Sequence, residues 1–231
     1  MPTFDPEKRP YSLYRNTIGF ANRSVEFLRL RKVASIPMTE ASGFRLSNRI
    51  RIFVQSHIRR CLAFVDGGLA EYDAGRPIVT DQCSRAIYEN VAALNDFFEK
   101  LTPLVLAYDH KQIDDLLQQA AFGTRVTSWL TDANARKSVN ILTQINKFVK
   151  EMPLRGEAYE RLCDIVHPNG LGAMVYFVKI EDDVSTIHDA GIDPEKAYAN
   201  LVLACALLLY VEQGIQRLDL LLPALTQSYS G

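Results

Sequence analysis

The sequence predicts an all-α protein, a helical bundle of about six helices, and three observations carry that prediction. Apolar residues recur at spacings of three and four over most of the chain, which lines single helix faces. Hydrophobic residues make up 48% of the 231, enough for a substantial core. Only Ala173–Ile180 is a short apolar run that fits a strand as well as a buried helix, and the helices around it favour helix. Helix packed on helix is the layer architecture such a pattern builds.

Residues 1–44 read as an N-terminal arm with one short helix, and residues 45–231 as the bundle domain. In the arm, Thr17–Lys32 is expected to be helical, anchored by Phe20, Phe27 and Leu30, and Ser35–Gly43 to be a loop. From Arg45 to Tyr72 the stripe Ile50, Phe53, Val54, Ile58, Cys61 and Val65 predicts a long helix, with Arg51, Gln55 and Arg59 on another face. The run from Glu71 to Asp81 ends it, and Thr80 or Asp81 is expected to cap the next. That helix carries Cys83, Ile87, Val91, Leu94, Phe98 and Leu101 towards Ala107, with a kink or division at Pro103.

Lys111–Phe122 is amphipathic. A helix over Ala133–Met152, using Val139, Leu142, Ile145 and Val149, should stop at Pro153. Gly156–Val166 begins another. The last helix is expected to start at an Asp193 cap, with Pro194 in its first turn and Glu195 near the positive end of its dipole. It should run to Pro223. Leu201–Val211 is apolar nearly all round, so it predicts a central helix or one that covers a partner.

Charge is uneven. Residues 1–60 hold 12 Lys/Arg against 4 Asp/Glu, while the rest of the chain is acidic. A basic region of this kind attracts phosphate or pairs with the acidic part of its own chain, and the lack of a glycine-rich loop or interleaved aromatics favours pairing. The apolar run Leu201–Val211 is about half of the roughly 20 residues that a membrane span needs. Cys61, Cys83, Cys163 and Cys205 lie far apart without a CxxC pair, and the start MPTFDPEKRP has no apolar leader. These features predict a reducing, cytoplasmic setting without disulfides or a membrane anchor.

Two stretches carry candidate chemistry. Arg161 and His167 are separated by five residues, a little under two helical turns, and the His167-Pro168 pair should end the helix there. If that break lets them converge, the guanidinium would hold a phosphate while the imidazole moves a proton near neutral pH. Earlier, Arg85 and Glu89 stand four apart, the spacing of a helical ion pair.

Together, Arg85 and Glu89 followed by Tyr159, Leu162, Cys163, His167, Pro168 and Asn169 resemble a family of uncharacterised bacterial helical proteins. That family is itself similar to HEPN-type domains. The resemblance implies a HEPN-like helical bundle that dimerises, binds RNA or nucleotides, and in many members cleaves RNA without a metal. It implies that Arg161 and His167 are catalytic, and that Arg85, Glu89, Tyr159 and Asn169 bind and orient. One position departs from the pattern: the residue after the arginine, usually polar in active members, is Leu162. No cofactor is implied, and the partners expected are a second copy and RNA or a nucleotide.

A second reading of the same residues is structural. His167 would bond to Arg85, Glu89 or a carbonyl and fix how helices pack in a non-enzymatic helical dimer, an interaction or regulatory module. Two weaker features suggest a metal. His57 and Cys61 lie four apart without a second pair, which favours a packed core histidine, and the acidic loop of Glu181, Asp182, Asp183, His188 and Asp189 reads as a solvated connection. No cofactor or hydrolase signature such as GxGxxG, a Walker loop, HExxH or GxSxG occurs.

Overall fold

The computed structural model describes residues 4–5, 15–37, 42–124, 128, 136–150, 153–168, 172–173, 176–181, 184–188 and 194–227. Among these the chain is an all-α bundle. Its helices are α1 (Arg15–Leu30), α2 (Ser42–Asp73), α3 (Pro77–Leu106), α4 (His110–Phe122), α5 (Ile141–Val149), α6 (Pro153–Val166), α7 (Pro194–Ala206) and α8 (Leu208–Gln227). Two small pairings complete it: β1 (Gly123–Thr124) lies parallel to β2 (Arg136–Lys137), and β3 (Val178–Glu181) antiparallel to β4 (Val184–Ile187).

Helix α3 is the hub. It packs against α2, α4, α5, α6, α7 and α8, so its side chains are buried around most of its circumference. Ile87, Val91, Leu94 and Leu101 are fully buried along it, at the three- and four-residue spacing the sequence shows. Helix α1 lies mainly against α7 and α8 and brings Val25 and Leu28 into the core, so the helix expected in the arm is part of the bundle's packing.

Several boundaries differ from the sequence expectation for identifiable reasons. In α1 the buried stripe is Ile18, Ala21, Val25 and Leu28, whereas Phe20 and Leu30 are exposed; the Arg23 guanidinium covers the Phe20 ring at 5.0 Å. Helix α3 starts at Pro77 with Arg76 at the N-cap and no side-chain cap, because proline is pre-set for the first helical position. Thr80 and Asp81 therefore lie inside the helix. Thr80 donates its hydroxyl to the carbonyl of Gly68 at 3.1 Å, which ties α3 to α2. Pro103 sits in the last turn of α3 without dividing it.

Helix α5 is shorter than the expected Ala133–Met152, because Asn140 caps it by accepting from the Leu142 N–H at 3.1 Å. Its buried residues are Ile145 and Phe148, while Leu142 is exposed. Pro153 opens α6 rather than only closing the helix before it.

Of Ala173–Ile180, expected to be helical, Ala173, Tyr176 and Phe177 have helical backbone, and only Val178–Ile180 belong to strand β3. Its β-branched Val178 and Ile180 register against Ile187 and Ser185, and the restricted side-chain torsions of such residues favour the extended chain. The single C-terminal helix is interrupted at Leu207 into α7 and α8, and α8 continues past Pro223, where Leu225 remains buried. Pro194–Leu225 is long and apolar enough to cross a membrane by length and composition alone, but most of its apolar window is buried inside the protein. That burial accounts for the apolar stretch Leu201–Val211 within one chain. The Asp193 cap lies outside the described residues.

Two helix ends use the same left-handed stop. After α2, Gly75 has φ +72°, and the Arg76 N–H reaches back to the Glu71 carbonyl at 2.8 Å. After α3, Tyr108 takes the equivalent place at φ 54°, with the Asp109 N–H on the Leu104 carbonyl at 3.0 Å. Glycine adopts that conformation freely, and tyrosine does so at a cost.

Candidate functional site

On α3, Asp81, Arg85 and Glu89 follow one another at four-residue intervals and so share one helix face. Helices α6 and α7 pack along α3. Two polar clusters form where their side chains meet this stripe.

The first joins α3 to α6. Arg85 Nε donates to Glu89 Oε1 at 3.0 Å, and the Tyr159 hydroxyl donates to the same oxygen at 3.0 Å. Cys163, one turn after Tyr159, borders both Arg85 and Tyr159. Burial works against the Arg85 charge, yet Cys163, Tyr159 and Glu89 together hold its proton more tightly than in a free arginine. Burial, followed by Cys163 and the Glu89 carboxylate, pushes the Tyr159 phenol well above the usual tyrosine range. The phenol therefore stays a neutral donor, and it is buried at 3% exposure.

The second cluster lies one turn away along α3. Asn200 of α7 donates through Nδ2 to Asp81 Oδ1 at 2.8 Å and accepts at Oδ1 from Arg161 Nη2 at 3.4 Å. The Tyr176 hydroxyl approaches Asp81 Oδ2 at 3.5 Å, near the limit of a hydrogen bond. Asp81 is 1% exposed. Burial pushes its carboxyl up to about 6, although Asn200, Tyr176 and the Arg161 charge all pull the other way. A carboxyl poised there exchanges its proton close to neutral pH.

The six residues expected to act together are thus distributed. Arg85, Glu89 and Tyr159 meet. Arg161 joins Asp81 and Asn200 instead, with much of its side chain at the surface. His167 is exposed just beyond the end of α6; its backbone N–H bonds to the Cys163 carbonyl at 3.0 Å, and no described residue hydrogen-bonds its ring. No hydrogen bond links Arg161 to His167 among the described residues. Asn169 lies outside them. Leu162 is buried at 1% exposure, so the position beside Arg161 faces the apolar core.

Sequence reasoning passed over Asp81 as a partner and missed Asn200. A signal was present. Asn200 is the one polar residue between Ala197 and Leu209 apart from Tyr198, and a polar group inside a helix that must be buried needs a partner.

On the side of α3 that faces α2, Asn90 settles the reading of His57 and Cys61. His57 Nδ1 donates to Asn90 Oδ1 at 2.6 Å, and Asn90 Nδ2 donates to the His57 carbonyl at 3.2 Å and to Cys61 Sγ at 2.7 Å. Burial lowers the His57 imidazole below its ordinary value, the Asn90 bond raises it, and the Arg60 charge lowers it again. Burial also raises the Cys61 thiol to about 12, so it stays protonated. No group of three or more His, Cys, Asp or Glu is placed to hold a metal among the described residues. Of the acidic loop, Asp182, Asp183 and Asp189 lie outside the described residues.

The basic N-terminal region pairs with acidic residues later in the chain. Arg29 meets Asp66 at 2.7 Å, Arg31 meets Asp219, and Arg49 meets Asp114. Arg59 donates to the Val33 carbonyl at 2.5 Å.

The fold and these clusters define an all-α bundle with a polar face along its central helix. No protein-family model, characterised protein or solved structure matches the chain.

Proposed function

We propose that this protein binds RNA or a nucleotide at the C-terminal end of α6, where Arg161 supplies charge for a phosphate and His167 an exposed imidazole. The observation that carries this reading is the exposed His167 ring, which is not spent on any hydrogen bond within the described fold. In this arrangement Arg85, Glu89 and Tyr159 hold α6 against α3 and so fix the surface that presents both groups. HEPN-like RNA cleavage is the further step that the family resemblance implies. Leu162, turned into the core, supplies no third polar group beside Arg161, so binding is the part of that reading the side chains favour. A cytoplasmic homodimer belongs to the same reading, and light scattering that gives only the single-chain mass of 26.0 kDa would remove the dimer.

The alternative is an interaction module whose polar residues serve only the fold. Its support is that Arg85, Glu89 and Tyr159 satisfy one another.

Fluorescence anisotropy of a labelled single-stranded RNA, titrated at rising salt, separates the two. The binding reading expects affinity that falls steeply with salt and falls further in Arg161→Ala and His167→Ala. It also expects His167→Ala to melt within a degree or two of the parent, because an exposed, unbonded ring contributes about 0.5 kcal/mol or less. No RNA binding at low salt, together with a clearly lowered melting point in His167→Ala, would decide for the module.

A further inference from the structure

Beside the α3–α6 cluster, on the side facing α2, lies an open cavity of about 490 Å³ lined by Ser56, His57, Arg60, Glu89 and Asn90. Two of its groups are oriented from behind. Asn90 uses its whole amide on His57 and Cys61, so the His57 ring is fixed with Nδ1 as the donor. A neutral imidazole with its proton on Nδ1 has an acceptor at Nε2. Arg85 and Tyr159 both bond to Oε1 of Glu89, which leaves Oε2 as a second acceptor. Arg60 lies against the Phe64 ring, its guanidinium 5.3 Å from the ring centre, and makes no ion pair with a described carboxylate.

One cavity therefore offers a guanidinium and two positioned acceptors. Positioning by a second layer of bonds is the arrangement of built sites rather than of solvated surface. We infer that this cavity binds a phosphomonoester that carries free hydroxyls, such as a nucleoside monophosphate, with the phosphate on Arg60 and hydroxyl protons donated to His57 Nε2 and Glu89 Oε2. Guanidinium and phosphate match as a charge-assisted, two-pronged pair. Ligand pockets for molecules of this size begin at about 300 Å³, so the volume suffices. The lowered proton affinity of His57 keeps its ring neutral and accepting at neutral pH. This site is separate from the end of α6 and does not rest on the role proposed for His167.

Calorimetric titration of the full chain with AMP, adenosine and inorganic phosphate tests the assignment. AMP should bind more tightly than either fragment. Arg60→Ala should weaken AMP by about tenfold or more, the factor expected for a lost charge-assisted bond, and leave adenosine unchanged. Arg59→Ala, which removes the same charge one residue away, should change neither. In NMR spectra the His57 ring signals should move on adding AMP. The inference is overturned if AMP does not bind at millimolar concentration, or if Arg59→Ala weakens it as much as Arg60→Ala, the mark of a diffuse basic surface. It is equally overturned if binding survives Arg60→Ala but is lost in Arg161→Ala, or if the His57 signals stay still.

Discussion

Replacing Asp81 with asparagine removes a charge that the fold holds at a cost. Asp81 is 1% exposed, and burial raises its carboxyl from 3.8 to about 6. The folded chain thus binds this proton more tightly than the unfolded chain does. The stability linked to it is complete below the unfolded pKa and is lost as pH rises through about 6. One pKa unit corresponds to about 1.4 kcal/mol, so the ionised carboxylate costs on the order of 3 kcal/mol above neutral pH. Asparagine keeps an acceptor for Asn200 and turns an amide N–H₂ towards the Tyr176 oxygen, with no charge to desolvate.

Asp81→Asn should therefore match the parent near pH 4 and exceed it by about 1–3 kcal/mol near pH 8. Urea unfolding followed by circular dichroism across this range reads the difference directly. A gap between the two proteins that stays flat from acid to alkali would refute the reasoning. So would a variant that is the weaker one at pH 8, which would mean that the attraction of Arg161 outweighs burial.

Asp96, buried between α3 and α5, binds Lys100 at 2.6 Å and Lys147 at 3.1 Å. Burial raises its carboxyl, but Lys100, Lys147 and Gln144 more than reverse that and leave it below the ordinary value. Its contribution is present above the unfolded pKa and lost as pH falls through the lower folded one, so Asp96→Ala should cost about 1–2 kcal/mol at pH 7 and less in acid, by urea titration. Gly214 lets α8 meet the Phe98 ring, and a Cβ there would overlap the ring carbons. Gly214→Ala should lower stability by about 1–3 kcal/mol in thermal melts, and an unchanged melting point would show that Phe98 can move aside. Tyr108→Gly should raise stability by about 0.5–1 kcal/mol, because Tyr108 is half exposed and held at positive φ. A loss on that change would show that the tyrosine ring contributes more than its backbone costs.

The long helices were legible because the large apolar residues of α2 and α3 recur at a three-four period from Ile50 to Leu101. Their ends were less so. Pro77 and Asn140 set helix starts through single-residue geometry that competes with the wider pattern. The strand β3 escaped because four residues are too few to show a period. At the site, the Arg85–Glu89 spacing read true as an ion pair since i and i+4 meet on any helix. The contacts of Tyr159 with Glu89 and of Arg161 with Asn200 depend on how α6 and α7 settle on α3, and spacing along one chain does not encode that.

The docking of α1 on α7 and α8 has a consequence for how the protein is made. Helix α1, with its stripe of Ile18, Ala21, Val25 and Leu28, is synthesised well before its main partners α7 and α8, which lie far downstream in the sequence. At ordinary translation speed the interval is on the order of ten seconds. Throughout it, α2 and α3 can pair with each other, since they are neighbours along the chain, while α1 presents bare apolar surface. Closure of the bundle is thus a late event that joins segments far apart in the sequence, and a nascent chain stalled before α7 should be a strong client for chaperones that bind exposed apolar helices.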